Sequence, residues 1–169
     1  MSDYLPVSGV GFVIYNPDDF KNDKSYKALK DTEYGYDQIG TKETIEAMMR
    51  IAKEWNALHP DRLLQYGDIS RPGGINTPDH GTHNNGKVFD VRPLRNDSQT
   101  GNAAKLTYGD PTYDRNLTKE FILLVRKLYP GTKFYFNDKK IWEDREFNSF
   151  VERRGGHDNH LHVIFPGGN

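Results

Sequence analysis

Residues 156–165 read GHDNHLHVIF, a short polar turn followed by an alternating apolar segment. This pattern predicts a β-strand over residues 161–165, in which successive side chains point to opposite faces of a sheet. His160 and His162 then share one face, and the apolar side chains between and after them share the other. The stretch therefore predicts both a strand of the core and a pair of imidazoles projecting from one side of it.

The remaining elements follow from apolar spacing. Apolar residues at steps of three and four predict two helices, Thr41–Leu58 and Thr118–Tyr129. Short apolar runs predict strands at Leu63–Ile69, Lys87–Val91 and Lys133–Phe136, with a further short strand at Gly11–Tyr15 in an otherwise irregular first 38 residues. A polar stretch from Arg92 to Tyr113 predicts a long surface loop. The expected fold is α+β, a single domain over residues 1–169 with a central antiparallel sheet flanked by helices.

Composition excludes several functional classes. The 23 basic residues nearly balance the 24 acidic ones, so the chain has no electrostatic signature of nucleic-acid binding. The absence of cysteine excludes disulfides, thiolate metal ligands and a cysteine nucleophile. No segment approaches the roughly 20 apolar residues of a membrane span, so we expect no membrane insertion. The start, residues 1–6, does not resemble a signal peptide, which predicts synthesis in the cytoplasm without Sec-dependent export.

Histidines and one carboxylate suggest a metal site. Five of the six histidines fall into two groups: His80 and His83, then His157, His160 and His162. Asp90 lies in the middle of a predicted strand, where a carboxylate is costly to bury unless it is paired or bound to a metal. Arg92, two residues further along, would lie on the same face of the strand as Asp90. Asp90 is therefore either a metal ligand or half of an ion pair, for which Arg92 is one candidate partner.

A set of two histidines and one carboxylate is typical of catalytic zinc, because it leaves the fourth tetrahedral position open. Structural zinc normally has four protein ligands. Zinc lowers the pKa of bound water from about 15.7 to about 7, which makes a hydroxide nucleophile available near neutrality. One of the paired histidines can be a ligand while its neighbour exchanges protons, and His157 could reach the same pocket from its turn. This combination fits hydrolysis of an amide bond.

The ordered motifs resemble a known group of enzymes. The spacing His-x6-Asp at His83 and Asp90, followed by His-x-His at His160 and His162, resembles the LAS superfamily of zinc peptidases. The fuller strings resemble its penicillin-insensitive murein endopeptidase family: Gly67-Asp68-Ile69-Ser70, Gly73-Gly74, His80-x2-His83 and Gly156-His157-Asp158-x-His160-x-His162-Val163. The matched segments span about residues 62–164.

The resemblance implies an LAS-type core with zinc held by His83, Asp90 and His162. It implies that His160 acts as general base and then general acid. His157 would stabilise the oxyanion or orient the substrate, and His80 would support the site. Arg92 occupies a position where the family usually has an aspartate, so it could bind a substrate carboxylate instead.

The implied substrate is the peptide stem of peptidoglycan, cut between D-alanine and diaminopimelate or between two diaminopimelates. Without a signal peptide, such an enzyme needs another route to the periplasm or cell wall. We expect a secreted antibacterial effector toxin, with a secretion-system component and an immunity protein as partners, or a phage endolysin. Two alternatives remain: a D-Ala-D-Ala carboxypeptidase, and a zinc-stabilised module that binds the wall without cutting it.

Overall fold

A computed structural model describes residues 3–15, 34–69 and 85–168. The strands are β1 (Asp3–Pro6), β2 (Ser8–Gly9), β3 (Phe12–Ile14), β4 (Tyr34–Gly40), β5 (Leu64–Tyr66), β6 (Val88–Val91), β7 (Lys133–Tyr135), β8 (Val151–Glu152) and β9 (Leu161–Ile164). The helices are α1 (Lys42–Leu58), α2 (Arg115–Leu128) and α3 (Lys139–Trp142). This is the α+β class that the sequence predicts.

The main sheet is mixed, whereas the sequence predicted an antiparallel one. Its seven strands run in the order β2-β3-β5-β6-β9-β7-β8, and β1 pairs separately with β4. The centre, β5-β6-β9-β7, is antiparallel, but β3 pairs with β5 and β7 with β8 in parallel. A parallel pair needs a long crossover, and here α1 lies between β3 and β5 while α3 lies between β7 and β8. The prediction was therefore right for the central strands and wrong for the outer pairs.

The two long helices have side-chain caps. The Thr41 hydroxyl accepts a hydrogen bond from the Thr44 N–H at 3.2 Å, which confirms the predicted start of α1. Helix α2 begins three residues before its predicted start, because the Asp114 carboxylate accepts the Leu117 N–H at 3.0 Å. Thr118, the predicted first residue, is fully buried inside the helix.

The other boundaries show where sequence periodicity is informative. Strands β3, β6, β7 and β9 lie inside their predicted segments, and β5 is shorter than predicted. The prediction of an irregular N-terminus was wrong, since β1 pairs there with the distant β4, and β2 forms a local hairpin with β3. The predicted loop from residue 92 to 113 has no α-helix or β-strand, but its first four residues are buried rather than on the surface.

The two faces of the central sheet have different chemistry. One face, here called the helix face, carries Phe89 and Val163 into a core with Trp55 of α1 and Phe121 of α2. The opposite face, here called the site face, carries the polar side chains of the same strands. Across the described ranges, no helix is long and apolar enough to cross a membrane.

Candidate functional site

Three side chains of the site face form a row across adjacent strands. Asp90 of β6 is directly opposite His162 of β9, and Tyr135 of β7 is opposite His162 on its other side. Directly opposed residues project to the same face of a sheet. His162 and Asp90 are both buried, with 1% and 7% of their surfaces exposed. Buried ionisable groups need partners, and within this row Asp90 and His162 are partners of each other.

Two of the predicted catalytic and metal-binding histidines converge on Asp90. His162 Nδ1 lies 3.2 Å from Asp90 Oδ1, and His160 Nε2 lies 3.8 Å from the same oxygen. His162 is the buried member of the pair and His160 remains partly accessible. The structure therefore brings together Asp90, His160 and His162, residues separated by about seventy positions in the chain.

Asn159 fixes the orientation of the His160 ring. Its side-chain oxygen accepts a hydrogen bond from His160 Nδ1 at 2.7 Å. In a neutral imidazole only one nitrogen carries a proton, so His160 Nε2 then carries the lone pair. That basic nitrogen is the one directed toward Asp90. Sequence reasoning missed Asn159, although its position next to His160 was a usable signal.

His157 joins the cluster from the preceding turn. Gly156 has φ +85°, a conformation that a residue with a side chain rarely adopts, and it leads directly into His157. The His157 ring centroid lies 4.8 Å from that of His160 and 5.6 Å from that of His162. Its Nδ1 donates to the carbonyl oxygens of Arg154 and Gly155, at 3.1 and 3.0 Å. Burial lowers the pKa of His157 and favours the neutral ring, although the two carbonyls act in the opposite direction.

Asn137 holds the turn that carries His157. Its side-chain amide donates to Asp158 Oδ1 at 2.7 Å, and its side-chain oxygen accepts the Arg154 N–H at 2.8 Å. Its backbone N–H donates to the His157 carbonyl at 3.0 Å. Asn137 thus ties both ends of the turn to the residues that follow β7. This role could not be predicted from the sequence, because it depends on two segments meeting in space.

Tyr135 and Arg154 extend the row of side chains. The Tyr135 ring stacks almost parallel to the His162 ring, at 5.5 Å between centroids and 10° between planes. The Arg154 guanidinium carbon lies 4.5 Å from the centroid of Tyr135. Neither residue was predicted from the sequence, because Tyr135 meets His162 through strand register and Arg154 meets Tyr135 from the segment after β8.

Arg92 does not pair with Asp90 in the described part of the chain. Its guanidinium donates to the Gln65 side chain at 2.9 Å and to the Gly101 carbonyl at 2.5 Å. It also lies 4.4 Å from the centroid of the Tyr15 ring. Burial lowers the pKa of Arg92, with Arg95 contributing in the same direction. Arg92 is therefore not the ion-pair partner of Asp90, and it connects β5 with the residue after β3 and with the loop after β6.

The described residues include two of the three predicted zinc ligands. His83 and the supporting His80 lie outside them, and the described ranges contain no group of three His, Cys, Asp or Glu side chains that could hold a metal. Two ligand atoms of tetrahedral zinc, each at about 2.0–2.1 Å, lie about 3.3 Å apart. The 3.2 Å between Asp90 Oδ1 and His162 Nδ1 matches that separation. The same distance is that of a hydrogen bond between the two side chains, so zinc binding by this pair stays a prediction.

No family model matches the chain, and a search of curated proteins finds no match either. Function must therefore be inferred from the chemistry of the site.

Proposed function

We propose that this protein is a zinc-dependent peptidoglycan endopeptidase of the LAS type, resembling the penicillin-insensitive murein endopeptidases. The observation that carries this proposal is the convergence of His162 Nδ1 and His160 Nε2 on one oxygen of Asp90, at 3.2 and 3.8 Å. A metal-ligand pair with a second imidazole beside it supplies the groups that hydrolysis of an amide requires. The proposed substrate is the cross-link between D-alanine and diaminopimelate.

The proposed ligands are His83, Asp90 and His162. When bound, zinc supplies a Lewis acid for the scissile carbonyl and lowers the pKa of water to about 7. Asp90 and His162 are held rigidly for this purpose, because both lie in paired strands and are almost completely buried. Placement on β-strands fixes ligand geometry more tightly than placement on loops.

His160 is the proposed general base. In the neutral ring the lone pair is on Nε2, since Nδ1 donates to Asn159, and that nitrogen faces the metal pair. His160 can therefore take a proton from the attacking water and deliver it to the leaving amine. Partial exposure leaves the ring accessible to substrate.

His157 suits an orienting role better than oxyanion stabilisation. Its Nδ1 proton is already donated to two backbone carbonyls. In the neutral ring, which burial favours, Nε2 can accept a hydrogen bond but has no proton to donate. We therefore propose that His157 accepts an N–H of the bound peptide.

The test is release of soluble muropeptides from purified, cross-linked sacculi by the zinc-loaded protein. His160→Ala should keep bound zinc and lower the rate by about 10²–10⁴-fold, the usual contribution of general acid–base catalysis. His59→Ala is the matched control, because His59 is the histidine outside both groups and contacts Glu120 instead. Unchanged turnover in His160→Ala would exclude its role.

Product masses from the same digests separate the alternatives. Cleaved dimers support an endopeptidase, whereas loss of a terminal alanine alone indicates a carboxypeptidase. Binding to sacculi without any product indicates a wall-binding module. Because the substrate lies outside the cytoplasm, the proposal also requires delivery to the wall, by effector secretion or by phage lysis. Co-purification of an immunity protein that inhibits digestion would support the effector.

A further inference from the structure

Arg154 presents a cationic group beside the histidine cluster. The side chain is exposed, and its guanidinium carbon lies 4.5 Å from the centroid of the Tyr135 ring. Its backbone is fixed at both ends of the residue, because its N–H donates to Asn137 Oδ1 and its carbonyl accepts from His157 Nδ1. Glu152 lies opposite Tyr135 in the register of β8.

This arrangement leaves the hydrogen-bonding edge of the guanidinium available. A guanidinium that lies over an aromatic ring uses its flat face, whereas its N–H donors radiate in its plane. Those donors match the two oxygens of a carboxylate in a bidentate pair. The Tyr135 ring therefore positions the cation without consuming the donors that would recognise an anion.

The cation is also within reach of the proposed reaction centre. The Tyr135 ring centroid lies 5.5 Å from that of His162 and 4.5 Å from the Arg154 guanidinium carbon. The guanidinium carbon therefore lies no more than about 10 Å from the centre of the His162 ring. About three residues of extended peptide cover that distance. A peptide whose scissile amide lies at His162 and His160 can therefore place a nearby carboxylate at Arg154.

We propose that Arg154, supported by Tyr135, is a specificity residue that binds a free carboxylate of the substrate peptide close to the scissile amide. The inference rests on the proposed function and deepens it, since it states which chemical group the peptide must carry. Arg154 binds and orients the substrate and takes no part in proton transfer.

The test is equilibrium binding of short peptides to the zinc-loaded full chain, in a His160→Ala background that prevents turnover. One probe pair is N-acetyl-D-alanyl-D-alanine and its C-terminal amide, which tests a terminal carboxylate. The other pair is a γ-linked D-glutamyl dipeptide with its α-carboxyl free or amidated, which tests an internal one. Arg154→Gln is compared with Arg153→Gln, because Arg153 is the adjacent exposed arginine.

The parent should bind the acid of one probe pair at least about tenfold more tightly than its amide, in keeping with one charge-assisted pair. Arg154→Gln should remove that preference without changing affinity for the amide, and Arg153→Gln should retain it. The proposal is overturned if neither pair shows a preference, if Arg154→Gln retains it, or if both variants lose it equally. Digestion of sacculi by the wild-type protein tests the proposed function separately, so failure of either inference is distinguishable.

Discussion

The helix face and the site face of the central sheet are built from the same strands but have opposite chemistry. In β9, Val163 is fully buried in the core formed with α1 and α2, while the preceding residue, His162, faces Asp90. In β6, Phe89 and Asp90 divide in the same way. Because side chains alternate along a strand, one short segment contributes to stability on one side and to the site on the other.

Substitutions of buried residues on the two faces should therefore have different effects, on stability for the helix face and on the site for the site face. On the helix face, substitution leaves a cavity and lowers the free energy of unfolding. On the site face, substitution removes a ligand or leaves a buried polar group without its partner. Four experiments test this division, beginning with the largest expected effect.

Replacing His162 with Ala should weaken zinc binding by more than the roughly 10–100-fold that loss of a supporting partner costs, because a proposed ligand is removed. The measurement is zinc affinity by competition with a chelator. Val163→Ala is the control from the opposite face of the same strand, and it should lower the free energy of unfolding by about 1–3 kcal/mol with zinc affinity unchanged. Equal loss of zinc binding in the two variants would remove the distinction between the faces.

Replacing Phe89 with Ala should lower the free energy of unfolding by about 3–5 kcal/mol, since the ring is fully buried against Tyr66 and Phe165. Urea denaturation measures the effect. Phe89→Leu retains most of the buried volume and should cost less. Once folded, both variants should bind zinc as the wild type does, and a large change in zinc affinity would contradict the division.

Replacing Asn137 with Ala should lower the free energy of unfolding by about 1–3 kcal/mol, because the two hydrogen bonds from its buried side chain to the His157 turn are lost. It should also lower kcat on cross-linked muropeptides while zinc affinity stays the same. Asn148→Ala is the matched control, since Asn148 is exposed and away from this turn. If kcat is unchanged in Asn137→Ala, the turn does not position His157 for catalysis.

The smallest effect concerns pH. Folding lowers the pKa of His157 from its ordinary value of about 6.5. As the pH falls below that value, the unfolded chain binds the proton more readily than the folded chain, so the free energy of unfolding decreases. His157→Gln should therefore lose less stability than the wild type between pH 7.5 and 5.5, by under about 1 kcal/mol for a half-exposed ring. Urea denaturation of zinc-free protein at both pH values checks this. A steeper loss in the variant would reverse the assigned direction.

The local elements were predictable where a sequence pattern has one physical cause. Thr41 with the apolar spacing after it predicted α1, and alternation predicted β9. The start of α2 was missed because Asp114 precedes the apolar repeat and acts only through its capping bond. The parallel pairs and the pairing of β1 with β4 were missed because a strand's partner is chosen by the packing of distant segments.

For the candidate site, the sequence by itself identified Asp90, His157, His160 and His162. Ionisable side chains beside or within apolar strands are costly to bury unless they bind a metal, pair with another group or take part in a reaction. It also marked His80 and His83, which lie outside the described residues. Only the tertiary structure brought Asp90 opposite His162, directed Arg92 to Gln65, and assembled the supporting residues Tyr135, Asn137 and Arg154. Their positions depend on strand register and loop closure, which are set by the balance of contacts over the whole chain.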